Sequence, residues 1–246
     1  GRGRRLIFRH YFAALGFLTR MGPAVRDPDM AACVPLFPVV GATLGLVLAA
    51  PLALGLFAGH PLAGGFYYGL ANVWLTRGLH CDGFADVADA WGSFTSGERF
   101  FAIMKDSRIG AFGGMALVAA MGGAFLLGAE LLAAGRVWTL AFAPVFGRAG
   151  AVALMRACRD LARPGLGSLC LPGATRGNTL IACGVALVLG FFWAGAAMTV
   201  AACVIGAVVV WKLARLARRN GGVNGDFLGA AIVGCELAAL TAGCLF

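Results

Sequence analysis

Charge is scarce in this chain of 246 residues: Asp, Glu, Lys and Arg make up only 13% of it. Soluble domains carry about 25%. With 60% hydrophobic residues and a mean hydropathy of +0.85, the shortage excludes a soluble globular body. No Cys-x-x-Cys pair occurs. The eight cysteines are scattered, mostly inside apolar runs, and read as small core residues rather than disulfides or a zinc cluster. Acids are few, eleven against twenty basic residues, which leaves a net charge of +9. In a soluble protein that excess would suggest nucleic acid. Here anchoring to a membrane face explains it, and no nucleic-acid partner is expected. Repeats, low-complexity tracts and composition shifts are absent, so residues 1–246 read as one membrane-embedded domain. No secretory signal is expected either, because Arg9, His10 and Arg20 interrupt the first apolar run.

What the chain does have is apolar spans, at about 34–58, 61–77, 110–134, 137–157, 179–195, 197–213 and 227–246. Each is near the ~20 residues a helix needs to cross a bilayer. The expected fold is all-α: a polytopic helical bundle of about seven transmembrane helices. Pro35, Pro38 and Pro51 predict a kinked first span. Residues 2–20 precede it. Arg2, Arg5, Arg9 and Arg20 fall on one side of a helical wheel, and Ile7, Phe8, Tyr11, Phe12, Leu15 and Leu18 on the other. That pattern predicts an amphipathic helix lying in the headgroup region. Eighteen of the twenty basic residues fall on one side of the predicted topology; Arg136 lies outside and Arg148 within a span. The asymmetry predicts a cytoplasmic N-terminus and cytoplasmic polar loops in a bacterial inner membrane.

Those loops concentrate the chemistry. Asp82, Asp86, Asp89, Glu98 and Asp106, five of the eleven acids, lie in the one loop after the second span. If 82–89 is helical, ~100° per residue places Asp82, Asp86 and Asp89 within about 60° of one another on one face. Three unpaired anions repel, so a cation is expected between them. Hard oxygen ligands without matching His or Cys favour Mg²⁺ or Mn²⁺ over zinc. Further on, Lys105, Ser107 and Arg108 flank an expected helix N-terminus at 107–110, a natural seat for phosphate. Two charges lie deep in spans, Arg148 and Glu236, either as a structural pair or as the lining of a polar substrate cavity. Asn224-Gly225-Asp226, just before the last span, either caps that helix or binds ligand.

With Gly78-Leu-His80-Cys-Asp82-Gly-Phe-Ala-Asp86-Val-Ala-Asp89-Ala and Met104-Lys-Asp-Ser-Arg-Ile-Gly-Ala-Phe-Gly113, the chain resembles the cobalamin synthase (adenosylcobinamide-GDP ribazoletransferase) family. Phe17-Leu-Thr-Arg20, Pro35-Leu-Phe-Pro-Val-Val-Gly41, Gly165-Leu-Gly167 and Gly225-Asp226-Phe-Leu-Gly229, leading to Glu236, extend the likeness over nearly the whole length. The resemblance implies that α-ribazole, or its 5′-phosphate, attacks the corrinoid nucleotide adenosylcobinamide-GDP with Mg²⁺ present and GMP leaving. It implies Asp82, Asp86 and Asp89 as metal ligands, with one of them or His80 taking the hydroxyl proton. Lys105, Ser107 and Arg108 then contact substrate phosphates, with Arg148, Asn224, Asp226 and Glu236 as further substrate residues. Asp106 is either a ligand or a salt-bridge partner, and a homo-oligomer is left open. Two rivals remain at this level. CDP-alcohol phosphotransferases share Asp-Gly-x-x-Asp-x-x-Asp, but Asp86 stands where their motif has Arg. A transporter is the other, although its polar site would usually lie at mid-membrane.

Overall fold

A backbone in lipid satisfies its own polar groups only as a helix or a closed barrel, and this chain folds into helices. The computed structural model describes residues 2–246. The helices are α1 (Arg2–Leu18), α2 (Met30–Cys33), α3 (Phe37–Ala53), α4 (Pro61–Leu75), α5 (Leu79–Gly92), α6 (Glu98–Met104), α7 (Ala111–Ala133), α8 (Val137–Ala157), α9 (Arg176–Trp193), α10 (Ala196–Asn220) and α11 (Gly225–Cys244). Among the described residues no strand forms, only one isolated bridge between Ala162 and Val223. The all-α bundle expected from the sequence is the architecture observed.

Among the described residues, six helices are long and apolar enough to span a membrane: Met30–Ala53, α7, α8, α9, α10 and α11. The predicted second span is shorter than expected. α4 has 15 residues, about 22 Å at ~1.5 Å per residue. It stops because Arg77 (φ 60°) and Gly78 (φ 68°) both turn left-handed, sending the chain into α5. The first span is broken as its prolines predict, with a 3₁₀ turn at Val34–Leu36 between α2 and α3. α10 outruns its predicted end at 213 because Lys212 to Arg219 prolong the helix beyond the apolar run.

α8 and α11 form the buried centre, while Val118, Phe191, Phe192 and Val204 on α7, α9 and α10 face outward toward lipid. Lipid is as apolar as leucine, so helices here cohere through close packing and interhelical polar contacts. Gly41 and Gly45 of α3 let its backbone lie directly on Pro144 and Ala141 of α8. Arg148 of α8, fully buried, is ion-paired with Glu236 of α11, which also accepts a hydrogen bond from Asn72 Nδ2 of α4 at 2.8 Å. One polar knot thus joins three helices.

α1 is amphipathic but divided along its length. Leu6, Ile7 and Phe8 are exposed beside Arg4, Arg5 and Arg9, whereas Ala13, Ala14, Leu15 and Leu18 are buried in the bundle. The side chain of Arg2, counted on the basic face, lies outside the described residues. The docked end is tied to the α4–α5 turn. Arg77 donates to the Gly16 carbonyl at 2.7 Å, the Arg20 N–H donates to Leu75 O at 2.8 Å, and the Arg20 guanidinium stacks on Trp74. These contacts fix where α5 begins.

Candidate active site

α5 is laid against the start of α11 by missing side chains. A Cβ on Gly83 would stand 2.7 Å from the Asp226 Cα, and one on Gly229 would stand 3.2 Å from the His80 Cα. The first contact leaves no room for a side chain, and the second is tighter than ordinary packing. The crossing brings Asp226 to the carboxylate face of α5, where Asp82 is exposed and Asp86 and Asp89 are half-buried. Burial pushes the Asp86 carboxyl up to about 7, and the charges of Asp82, Asp226 and Asp89 push it the same way. Four acids from two helices therefore share one region.

They do not share one role. Both carboxylate oxygens of Asp89 are engaged: Oδ2 accepts from the Gly110 N–H at 2.8 Å and Oδ1 from the Gly113 N–H at 2.7 Å. A cap of this kind usually comes from the residue preceding the helix; here it comes from α5 and holds the N-terminus of α7. The expected phosphate seat at 107–110 therefore already holds an anion, the protein's own. Its cation is paired as well. Arg108 makes a two-pronged contact with Asp106, Nε to Oδ1 at 3.0 Å and Nη2 to Oδ2 at 2.7 Å, and that hydrogen-bonded pairing lowers the Asp106 carboxyl to about 2. The alternative for Asp106 resolves toward a salt-bridge partner in this state. Lys105 and Ser107 lie exposed on the same loop.

Two cavities open from the acids. The first, about 460 Å³, is lined by Asp86, Asp89, Asp106, Arg108 and residues 109–112. The second, about 280 Å³, is lined by His80, Asn224, Asp226, the Gly165-Leu166-Gly167 loop and apolar side chains from α1 and α11. Asn224 both caps α11, accepting from the Phe227 N–H at 3.3 Å, and steadies Asp226 through Nδ2 to Oδ2 at 2.7 Å. The tripeptide therefore caps the helix and also lines this cavity. The Gly165–Gly167 loop rests directly on Gly225, and its approach is secured where Arg163 N–H donates to Val223 O at 3.0 Å. Burial holds the His80 imidazole well below the ordinary histidine range, with the Arg148 and Arg77 charges acting in the same direction.

Among the described residues, no three His, Cys, Asp or Glu side chains stand together closely enough to cage a metal ion. Mg²⁺ seldom uses such a cage; it is typically bound by one or two carboxylates together with substrate phosphates. Asp82 and Asp86, with Asp226 beside them, are hard oxygen donors that no lysine or arginine among the described residues pairs with, and they fit that mode. Asp89, with both oxygens taken by backbone donors, fits it poorly.

Arg148 and Glu236 meet as an ion pair, the arrangement the structural reading expects. Arg148 lines neither polar cavity, and Glu236 borders only a space of about 40 Å³. Sequence reasoning missed Asn72 as their third member and Gly83 and Gly229 as the contacts that bring Asp226 to Asp86. A small residue one position after Asp82 and another three after Asp226 were the available signals.

The family model described as cobalamin-5-phosphate synthase matches residues 10–244. An adenosylcobinamide-GDP ribazoletransferase of Nitratidesulfovibrio vulgaris (strain DSM 19637 / Miyazaki F) is 47% identical, covering 95% of this chain and 94% of its own. Proteins of the same name from Klebsiella pneumoniae (strain 342) and Geotalea daltonii are 35% and 34% identical, over 96% and 91% of this chain and 99% and 92% of theirs. No solved structure matches.

Proposed function

This chain belongs to the cobalamin-5-phosphate synthase family, and from that premise we propose that it joins α-ribazole, or its 5′-phosphate, to adenosylcobinamide-GDP. A ribose hydroxyl oxygen bonds to the cobinamide-side phosphorus, the bond from that phosphorus to the GMP oxygen breaks, and GMP departs. The hydroxyl proton passes to a base on the enzyme. The observation that carries the reading is the meeting of Asp82, Asp86 and Asp226, uncompensated, between two cavities of different size and polarity.

Asp82 and Asp86, with Asp226, would hold Mg²⁺, which when bound neutralises pyrophosphate charge and stabilises the transition state. Asp89 keeps the α7 N-terminus in place beside them. Lys105 and Arg108 receive the nucleotide phosphates, Arg108 exchanging its Asp106 partner for phosphate oxygens. His80, neutral, and the carboxylates are the groups placed to accept the hydroxyl proton. Purified protein with Mg²⁺, α-ribazole and adenosylcobinamide-GDP should release GMP stoichiometrically with corrinoid product. Absence of GMP under these conditions refutes the reading.

Two further outcomes follow. Arg108→Ala should reduce kcat/KM for adenosylcobinamide-GDP by about tenfold or more, since a charge-assisted contact is worth ~1.5–3 kcal/mol and ~1.4 kcal/mol is tenfold. Arg108 is exposed, so stability should not change; unaltered kinetics would leave it as an interfacial charge only. The protein is a multi-pass membrane protein, and its acidic face is assigned to the cytoplasmic side of the inner membrane. A cysteine replacing exposed Ser96 should then react only with reagents admitted to the cytoplasm, and one replacing exposed Ala134 should react from outside. Outside labelling at position 96 would reverse the topology.

A further inference from the structure

The smaller cavity carries information that the family assignment does not. His80 is only 5% exposed, yet its Nε2 has no hydrogen-bond partner, and the residue lines this space. Buried polar atoms are ordinarily satisfied, so an unpartnered nitrogen on a residue that lines a cavity is a group that a ligand there can engage once the ring turns toward the space. The rest of the wall states what kind. Phe17, Phe37, Leu228 and Ile232 make it largely apolar, and among the described residues no lysine or arginine lines it. Asp226 is its one charged group, and that charge is negative. At about 280 Å³ it lies just below the usual range of small-molecule sites, roughly 300 to 1,000 Å³. A space of that size admits one nucleoside and excludes a corrin ring bearing a nucleotide tail.

We propose that this cavity seats the benzimidazole nucleoside of the acceptor, with His80 Nε2 bonded to it and its ribose directed past Asp226 toward Asp86. The proposal rests on the ribazole-transfer reading. It divides the substrates: the uncharged nucleoside enters between α1, α5 and α11, and the corrinoid nucleotide approaches from the open cavity beside Arg108. A 5′-phosphate on the acceptor has no cation to meet inside and must project out of the cavity mouth, past the Gly165–Gly167 loop.

Initial-rate kinetics on the full-length protein with Mg²⁺, each substrate varied separately, test the division. His80→Phe keeps a flat ring and removes the nitrogen; it should raise KM for α-ribazole tenfold or more and leave KM for adenosylcobinamide-GDP within twofold. His80→Gln, which restores a polar atom near Nε2, should recover most of that loss. A merely structural His80 would move both KM values together, and a His80 that serves only as the proton acceptor would change kcat alone; either pattern overturns the proposal. A second measurement does not depend on the core variants folding. Leu166 is exposed at the cavity edge, whereas the eight native cysteines are buried or half-buried. Leu166→Cys should therefore dominate early maleimide labelling, and α-ribazole should slow it at least fivefold while GMP does not. Undiminished labelling in saturating α-ribazole overturns the assignment. Wild-type protein that releases no GMP refutes the transfer reading itself, an outcome distinct from both.

Discussion

Asp86→Asn should lower GMP release by two orders of magnitude or more while the folded protein becomes no less stable. Asparagine keeps the shape and removes an anionic ligand, and a metal contributes several kcal/mol of transition-state charge stabilisation, with each ~1.4 kcal/mol worth a factor of ten. Stability is expected to hold or rise without Mg²⁺, because burial and then the charges of Asp82, Asp226 and Asp89 push the half-buried Asp86 carboxyl up to about 7. Removing one charge relieves that repulsion. Asp89→Asn should behave differently. Its carboxylate takes two backbone N–H groups at the start of α7, and charge-assisted bonds of this type contribute ~1.5–3 kcal/mol. An asparagine amide in its place has only one acceptor oxygen to offer two donors, so a lowered unfolding midpoint should accompany any loss of turnover. Measuring turnover and detergent melting on both variants, with and without Mg²⁺, separates ligand from cap. Wild-type turnover in a folded Asp86→Asn protein would remove Asp86 from the metal site.

Glu236→Leu should be the most destabilising single change in the bundle. Arg148 would remain fully buried and uncompensated, and breaking a buried pair by removing one partner costs about 3–5 kcal/mol. Its Nε and Nη2 already lack partners, and the Asn72 amide would lose its acceptor too. The double variant Arg148→Met/Glu236→Leu should regain most of the lost stability, since replacing a whole buried pair with apolar side chains is often neutral or favourable. The comparison is a detergent unfolding series on the two single variants and the double. Equal stability of Glu236→Leu and wild type would mean that the pair does not hold α8 to α11. A double variant that is stable but inactive would return these residues to the site.

Much of this protein is legible along the chain alone. Long apolar runs dictate helices in lipid, and Asp82-x-x-x-Asp86-x-x-Asp89 places three acids on one face of α5. These are properties of neighbours along the chain, set by backbone chemistry and a 3.6-residue period. The division of labour among those acids was not readable. Asp89 is a cap and Asp86 a free carboxylate because the α7 N-terminus meets one and α11 meets the other. Asp226 joins them because Gly83 and Gly229 allow two backbones to touch. Arg148 and Glu236 were visible as buried charges, but only packing decided that they meet each other and Asn72. Local sequence determines which groups a helix displays. Which of them is satisfied by protein, and which remains free for a ligand, depends on partners brought in from distant parts of the chain, because hydrogen bonds and charges act only at the short range that tertiary contact creates.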